Sequence, residues 1–141
     1  MNTVFGTGNP MIAWRLLIVL LTALTLPLKP ADVSGEWNIQ GRFDAPSVAR
    51  GMPPHADLVC TFERKAETLR GTCRPADGPG GVPVEGRVEG EQVEWHFDIA
   101  TERNGKAQTV TYAGVMNDGA TSMKGTVAIA EMRGEFTAER Q

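Results

Sequence analysis

The sequence predicts an all-β fold, an eight-stranded antiparallel up-and-down barrel, and three observations carry that prediction. From Gly35 onward almost every segment alternates apolar and polar residues with a period of two, and no stretch there has a convincing helical period. Turn-forming residues interrupt the alternation at short intervals, the pattern of a meander. When the hairpins are registered by their own turns, aromatics fall opposite glycines, the device by which a tightly coiled, closed sheet seats a bulky side chain against bare backbone.

On the first strand Trp37, Ile39, Gly41 and Phe43 share one face, and Glu36, Asn38, Gln40 and Arg42 the other. Leu58, Cys60 and Phe62 point inward on the second, and Leu69, Gly71 and Cys73 on the third. Val82, Val84, Gly86 and Val88 make the fourth; Val93, Trp95, Phe97 and Ile99 make the fifth. The sixth is lined by Val110, Tyr112, Gly114 and Met116, the seventh by Met123, Gly125, Val127 and Ile129, and the eighth by Gly134, Phe136 and Ala138. Eight such strands suffice to close a sheet, which removes the edges an open sheet must protect.

Two turns set specific registers. Gly90-Glu91 places glycine where a type II′ turn wants it, so Val88 faces Val93 and Gly86 faces Trp95. Asn104-Gly105 is a strong type I′ signal; centred there, the hairpin sets Ile99 opposite Val110, Phe97 opposite Tyr112 and Trp95 opposite Gly114. Trp95 is then flanked by glycine on both sides. The turn at Ala66-Glu67 has no residue suited to positive φ, and Asn117-Asp118-Gly119-Ala120 reads as a four-residue loop. The one long connection, residues 44–55, is rich in proline and small residues. It shares an end of the barrel with the loops at 75–81, 101–106 and 130–132. The opposite end has tighter turns, so the reading is a barrel with an open mouth and a closed base.

Residues 1–31 read as a signal peptide and short linker, and 32–141 as a single β-barrel domain. The leader contains no acid, has Arg15, and then runs apolar from residue 16 to 26. Only thirteen uncharged residues separate Arg15 from Lys29, against about 20 for a membrane span; a permanent anchor is the weaker reading. Ala23-Leu24-Thr25 is one candidate cleavage motif and Ala31 another, and Met11 is an alternative start. Export predicts a periplasmic or secreted protein. All 17 acids lie after the leader, which takes Arg15 and Lys29 with it, so the net charge falls from −3 to about −5. That balance disfavours nucleic acid and anionic membrane surfaces, both of which reward clustered Lys and Arg.

Cys60 and Cys73 are the firmest pair. A hairpin centred on Ala66-Glu67 sets them directly opposite on the inner face, at a separation that suits a disulfide. An exported chain favours that over two reduced, buried thiols. No Cys-x-x-Cys is present, so a redox role is not expected.

Gly35-Glu36-Trp37 opens the first strand and Arg140, of inward parity, lies near the end of the last. The pattern resembles the calycin families, lipocalins and avidins, whose first strand begins Gly-x-Trp. In lipocalins a basic residue of the last strand covers that tryptophan, and the resemblance gives Arg140 this role over Trp37. Gly71-Thr72 and Gly125-Thr126 are similar to avidin steps. The chain departs from lipocalins in lacking their C-terminal helix. It departs from avidins in having Ile39 and Phe43 where those place biotin-holding polar residues, so biotin is not implied. Small bacterial metalloprotease inhibitors begin similarly and inhibit through their N-terminal segment.

Among chemical candidates, Ser47, His55 and Asp57 lie in a polar loop where such residues occur by chance, and Glu63 and Glu94 point outward by parity. His96, between Glu94 and Asp98, reads as part of a charged solvent face rather than a metal patch. No metal spacing, phosphate loop or nucleophile elbow is present. The expected protein is therefore not an enzyme and needs no cofactor or metal. The leading expectation is binding of a small apolar or amphipathic ligand through the mouth, with Phe43, Leu58, Phe97, Ile99, Val110 and Tyr112 as walls and Met52 on a lid. Trp95, Phe97, Tyr112 and Phe136 alternatively just fill the barrel. The competing expectation is a protein-binding module or inhibitor of a secreted enzyme, acting through the mouth loops or the N-terminus.

Overall fold

A computed structural model of the protein describes residues 32–100 and 106–141. Eight antiparallel strands run β1 Gly35–Phe43, β2 His55–Lys65, β3 Thr68–Pro75, β4 Val82–Glu89, β5 Gln92–Ala100, β6 Ala107–Met116, β7 Ser122–Ile129 and β8 Met132–Arg140, with one short helix, α1 Ala45–Ala49. Each strand pairs with the next and β8 pairs back with β1, so the sheet is a closed barrel in sequence order. The signal-peptide reading and the Asn104-Gly105 turn lie outside the described residues.

Alternation decides what faces inward. On β1 and β5 burial switches at every step, and Trp37, Ile39, Val93 and Trp95 are at most 2% exposed while their neighbours face solvent. The interior is the single apolar cluster of the barrel, and Ser47 is the only polar residue buried among the described residues. Cys60 pairs with Cys73 in the β2–β3 ladder, at a Cα separation of 4.1 Å, and the two form a disulfide enclosed in the core. Closing a loop of this length contributes about 3 kcal/mol on the entropic account.

The Gly90-Glu91 turn sets the register its glycine implies: Gly90 has φ +59°, Val88 faces Val93, and Gly86 faces Trp95. The β5–β6 hairpin differs from expectation by two residues. Trp95 faces Tyr112, Phe97 faces Val110, and Val93 faces Gly114. The last pair of this ladder among the described residues is Ala100 with Ala107. Inward parity survives the shift. The observed register lays the Tyr112 ring flat on the Trp95 indole, with centroids 5.0 Å apart and planes 2° from parallel.

Glycine and aromatic residues do interlock, but around other rings. Phe62 lies between Gly35 and Gly71, and Phe136 between Gly41 and Gly125. Gly114 leaves room for the edge of Phe136: a Cβ there would sit 2.8 Å from its Cζ.

Two further expectations are corrected. Residues 44–55 are not wholly loop: Asp44 caps α1 by accepting the Ser47 N–H at 2.9 Å, Pro46 supplies a fixed φ in the first turn, and His55 is the first residue of β2, opposite Arg42. The β6–β7 loop runs through Thr121 rather than stopping at Ala120, because Asn117 Oδ1 accepts the N–H groups of both Thr121 and Ser122.

The base is sealed by the residues just before β1 and by the end of β8. Trp37 donates its Nε1–H to Val33 O at 2.8 Å, folding residues 32–34 across the bottom. Arg140, paired with Trp37 in the β1–β8 ladder, holds its guanidinium 4.6 Å above the indole. The same guanidinium donates to the carbonyls of Ala120, Ser34 and Asp32. One planar cation thus ties the first strand, the last strand and the β6–β7 loop together. Bonds from the Ser34 N–H and hydroxyl, and after them Arg140 and Arg64, hold the Asp32 carboxyl below the usual carboxylate range.

Candidate functional site

Among the described residues the mouth has no such seal. Its rim is built where inward positions reach the strand ends: Phe43 closes β1, Ala56 and then Leu58 begin the inward face of β2, Val82 opens β4, Ile99 is the last inward residue of β5 and Met132 opens β8. Leu58, Val82, Ile99 and Met132 are half-buried, as are Val48 and Met52 of the segment after β1, and all pack on the core. Phe43 and Phe97, each 8% exposed, are the most accessible core residues. An apolar rim in contact with water is unusual on a barrel whose other end is so fully covered.

The helix α1 stands at one edge of this rim and is tied to β8. Asp44 N–H donates to Arg133 O at 2.9 Å, and the Ser47 hydroxyl accepts the Arg133 N–H at 2.9 Å while donating back to Arg133 O at 3.3 Å. Hydrogen bonding from Ser47, whose N–H donates to Oδ1 at 2.9 Å, holds the Asp44 carboxyl below its ordinary pKa. The Arg50–Glu131 pair at 2.9 Å spans the same junction, but both side chains are largely exposed and screened, so the Ser47 bonds carry the attachment.

The residues expected to wall a site divide into two groups. Phe43, Met52, Leu58, Phe97 and Ile99 lie toward the mouth end, Phe43 and Phe97 within the core and the other three packed against it. Val110, 3% exposed, is buried between Phe97 and Ile129, and Tyr112, 2% exposed, lies deeper still. Tyr112 is the middle ring of a column: Trp95 stacks on one side at 5.0 Å and Phe97 on the other at 6.1 Å. Phe136 meets both Trp95 and Tyr112 edge-on at 5.4 and 5.2 Å, and Phe62 packs on Trp95 at 5.0 Å. Burial pushes the Tyr112 hydroxyl up to about 12, since a phenolate there would lose its water.

Sequence reasoning misses Gln108. The register shift sets it opposite Ile99, half-buried, with the inward parity of Val110 and Tyr112. Alternation back from Val110 points to it, but a hairpin registered on Asn104-Gly105 sets it one inward step beyond Ile99, with no wall residue opposite it.

The residues considered for catalysis are not assembled. Ser47 is bonded in both directions to the Arg133 backbone, His55 is exposed at the head of β2, and Glu63 and Glu94 face solvent. His96 is exposed on the outer wall, with Glu85 and Thr111 as lateral neighbours. Among the described residues no three His, Cys, Asp or Glu side chains are grouped to hold a metal, and no helix is long and apolar enough to cross a membrane.

Grooves also open on the outer wall, one over Val93, Gly114 and Gly125 and another over Gly125, Gly134 and Phe136. Val115, 47% exposed, borders both. No protein-family model matches the chain, and no curated protein matches it. The closed eight-stranded antiparallel meander is compatible with a calycin-like fold.

Proposed function

We propose that the protein binds a small apolar or amphipathic molecule at the open end of the barrel. The observation that carries this reading is the asymmetry of the two ends: Arg140 and residues 32–34 cover the base, while the mouth leaves Met52, Leu58, Val82, Ile99 and Met132 half in water. Covering such a rim removes apolar area from water at about 25 cal/mol per Å², and the rigid barrel presents it with little ordering cost. The reading is of a binding protein rather than an enzyme, working outside the cytoplasm. Support for the compartment is the Cys60–Cys73 bond, which persists in oxidising surroundings.

Titration with N-phenylnaphthylamine, a neutral dye that brightens in apolar sites, tests the proposal. Saturable binding is expected, weakened at least about tenfold by Ile99→Asp, which sets a charge on the rim. Thr137→Asp, on the outer wall, leaves it unchanged. Dye binding that ignores Ile99→Asp rules the mouth out.

A protein-binding role is the second reading. It is favoured by the aromatic cluster, whose five rings lie within 5.0–6.1 Å of one another along the contacts that fill the barrel's centre. A ligand confined to the rim would be shallow, and the same rim would suit an apolar side chain of a partner.

A further inference from the structure

The aromatic column inside the barrel carries two hydrogen-bond donors that the described residues do not satisfy. Trp95 is fully enclosed and its Nε1–H meets no acceptor. An indole N–H can only donate, so nothing but an acceptor answers it. The hydroxyl of Tyr112, on the ring stacked against Trp95, likewise has no hydrogen-bond partner among the described residues. The contrast within the chain is sharp: Trp37, equally buried, gives its Nε1–H to Val33 O at 2.8 Å. Buried donors are almost always paired, so an unpaired one calls for an acceptor, whether a water, an ion or a ligand.

The surroundings restrict what that group is. Ser47 is the only buried polar residue among the described residues, and its hydroxyl is committed to Arg133. The polar side chain nearest the rim on the inward face of β6 is Gln108, a neutral amide. Arg140 lies at the opposite end, occupied by three carbonyls. An anion inside the barrel would lose its water and, among the described residues, meet no buried cation in return.

We propose that the molecule bound by this barrel carries a neutral hydrogen-bond acceptor, a carbonyl or ether oxygen rather than a carboxylate or phosphate, and that Tyr112 and Trp95 donate to it. The proposal rests on the mouth reading above and deepens it. A ligand entering from the mouth meets Phe97 first, the accessible end of the column, and reaches Tyr112 by turning that ring aside. The burial that opposes a Tyr112 phenolate keeps the hydroxyl a donor across the physiological range and opposes an anionic ligand for the same reason.

Three planar molecules of nearly equal shape separate the possibilities: acetophenone, with a neutral carbonyl; α-methylstyrene, with a methylene in its place; and benzoate, with a charge. Affinities are measured by displacement of N-phenylnaphthylamine, and the indole N–H resonances are followed by NMR with the Trp37 signal as internal reference. Acetophenone is expected to bind about five- to tenfold tighter than α-methylstyrene, to shift the Trp95 N–H downfield while Trp37 stays put, and to outcompete benzoate. Tyr112→Phe, which removes a hydroxyl with no partner among the described residues, should reduce the preference for the ketone by about half its free energy and leave α-methylstyrene affinity unchanged. Equal affinity for ketone and alkene, tighter benzoate, or a preference undiminished by Tyr112→Phe overturns the acceptor assignment while the mouth reading stands. Failure of the dye itself to bind overturns the mouth reading, and this inference with it.

Discussion

Arg140→Ala is the most informative single perturbation of the fold. The residue is second from the C-terminus, where chain ends usually fray, yet its guanidinium covers Trp37 at 4.6 Å and donates to Ala120 O at 2.9 Å and to the Ser34 and Asp32 carbonyls. The stacked cation contributes about 0.5–2 kcal/mol. Hydrogen bonds from a charged donor to the part-buried carbonyls of Ala120 and Ser34 add about 1 kcal/mol each, at the low end of their range because Arg140 is half exposed. Asp32 is exposed and water replaces that bond, so it adds nothing. The expected loss is about 2–4 kcal/mol, which for a domain of this size lowers Tm by about 10–20 °C. Urea midpoints of the wild type, Arg140→Ala, Arg140→Lys and exposed Lys124→Ala measure it. Lysine should recover only part of the loss, since an ammonium neither stacks as a plane nor reaches three carbonyls at once. Dye binding at the mouth should be unchanged at temperatures where both proteins are folded. Coincident midpoints for wild type and Arg140→Ala would refute the claim that this residue holds the β1–β8 seam.

Gly125→Ala should cost about 3 kcal/mol or more, because its Cβ would lie 1.9 Å from Ala113 O and 2.5 Å from Gly114 Cα, both backbone; Gly78→Ala, in open space, is the neutral control, and thermal melts of the two compare them. Ala66 and Ala130 take φ +56° and +51° in two-residue hairpin turns. Glycine at either site should therefore stabilise by about 0.5–1 kcal/mol, the relief of left-handed strain less glycine's extra unfolded-state entropy, and raise the denaturation midpoint accordingly. A spectrophotometric titration of Tyr112 should show no phenolate near the ordinary value and ionisation only toward about 12. The folded pKa lies above the unfolded one, so the stability this group contributes is constant below pH about 10 and declines as pH rises from there toward 12; Tyr112→Phe should flatten that decline.

Much of the barrel follows from local rules acting on the sequence. A period of two puts every buried residue of β1 and β5 on one face, and that parity is the same in any register that closes. Where a two-residue turn joins two strands, as at Ala66-Glu67 and Gly90-Glu91, turn and register are one constraint, so the Cys60–Cys73 and Gly86–Trp95 pairings are legible in the residues alone. Tertiary packing decided the rest. Between β5 and β6 a slip of two preserves inward parity, and the register observed is the one that stacks Tyr112 on Trp95 and brings Gln108 to the rim. The helix α1 is too short to show a period and is held by Asp44, Ser47 and the Arg133 backbone, a junction 86 residues apart in the chain. Which end of the barrel is sealed also depended on closure: Arg140 reaches Trp37, Ala120 and Ser34 only once β8 lies beside β1, because contacts across the seam exist only in the closed sheet.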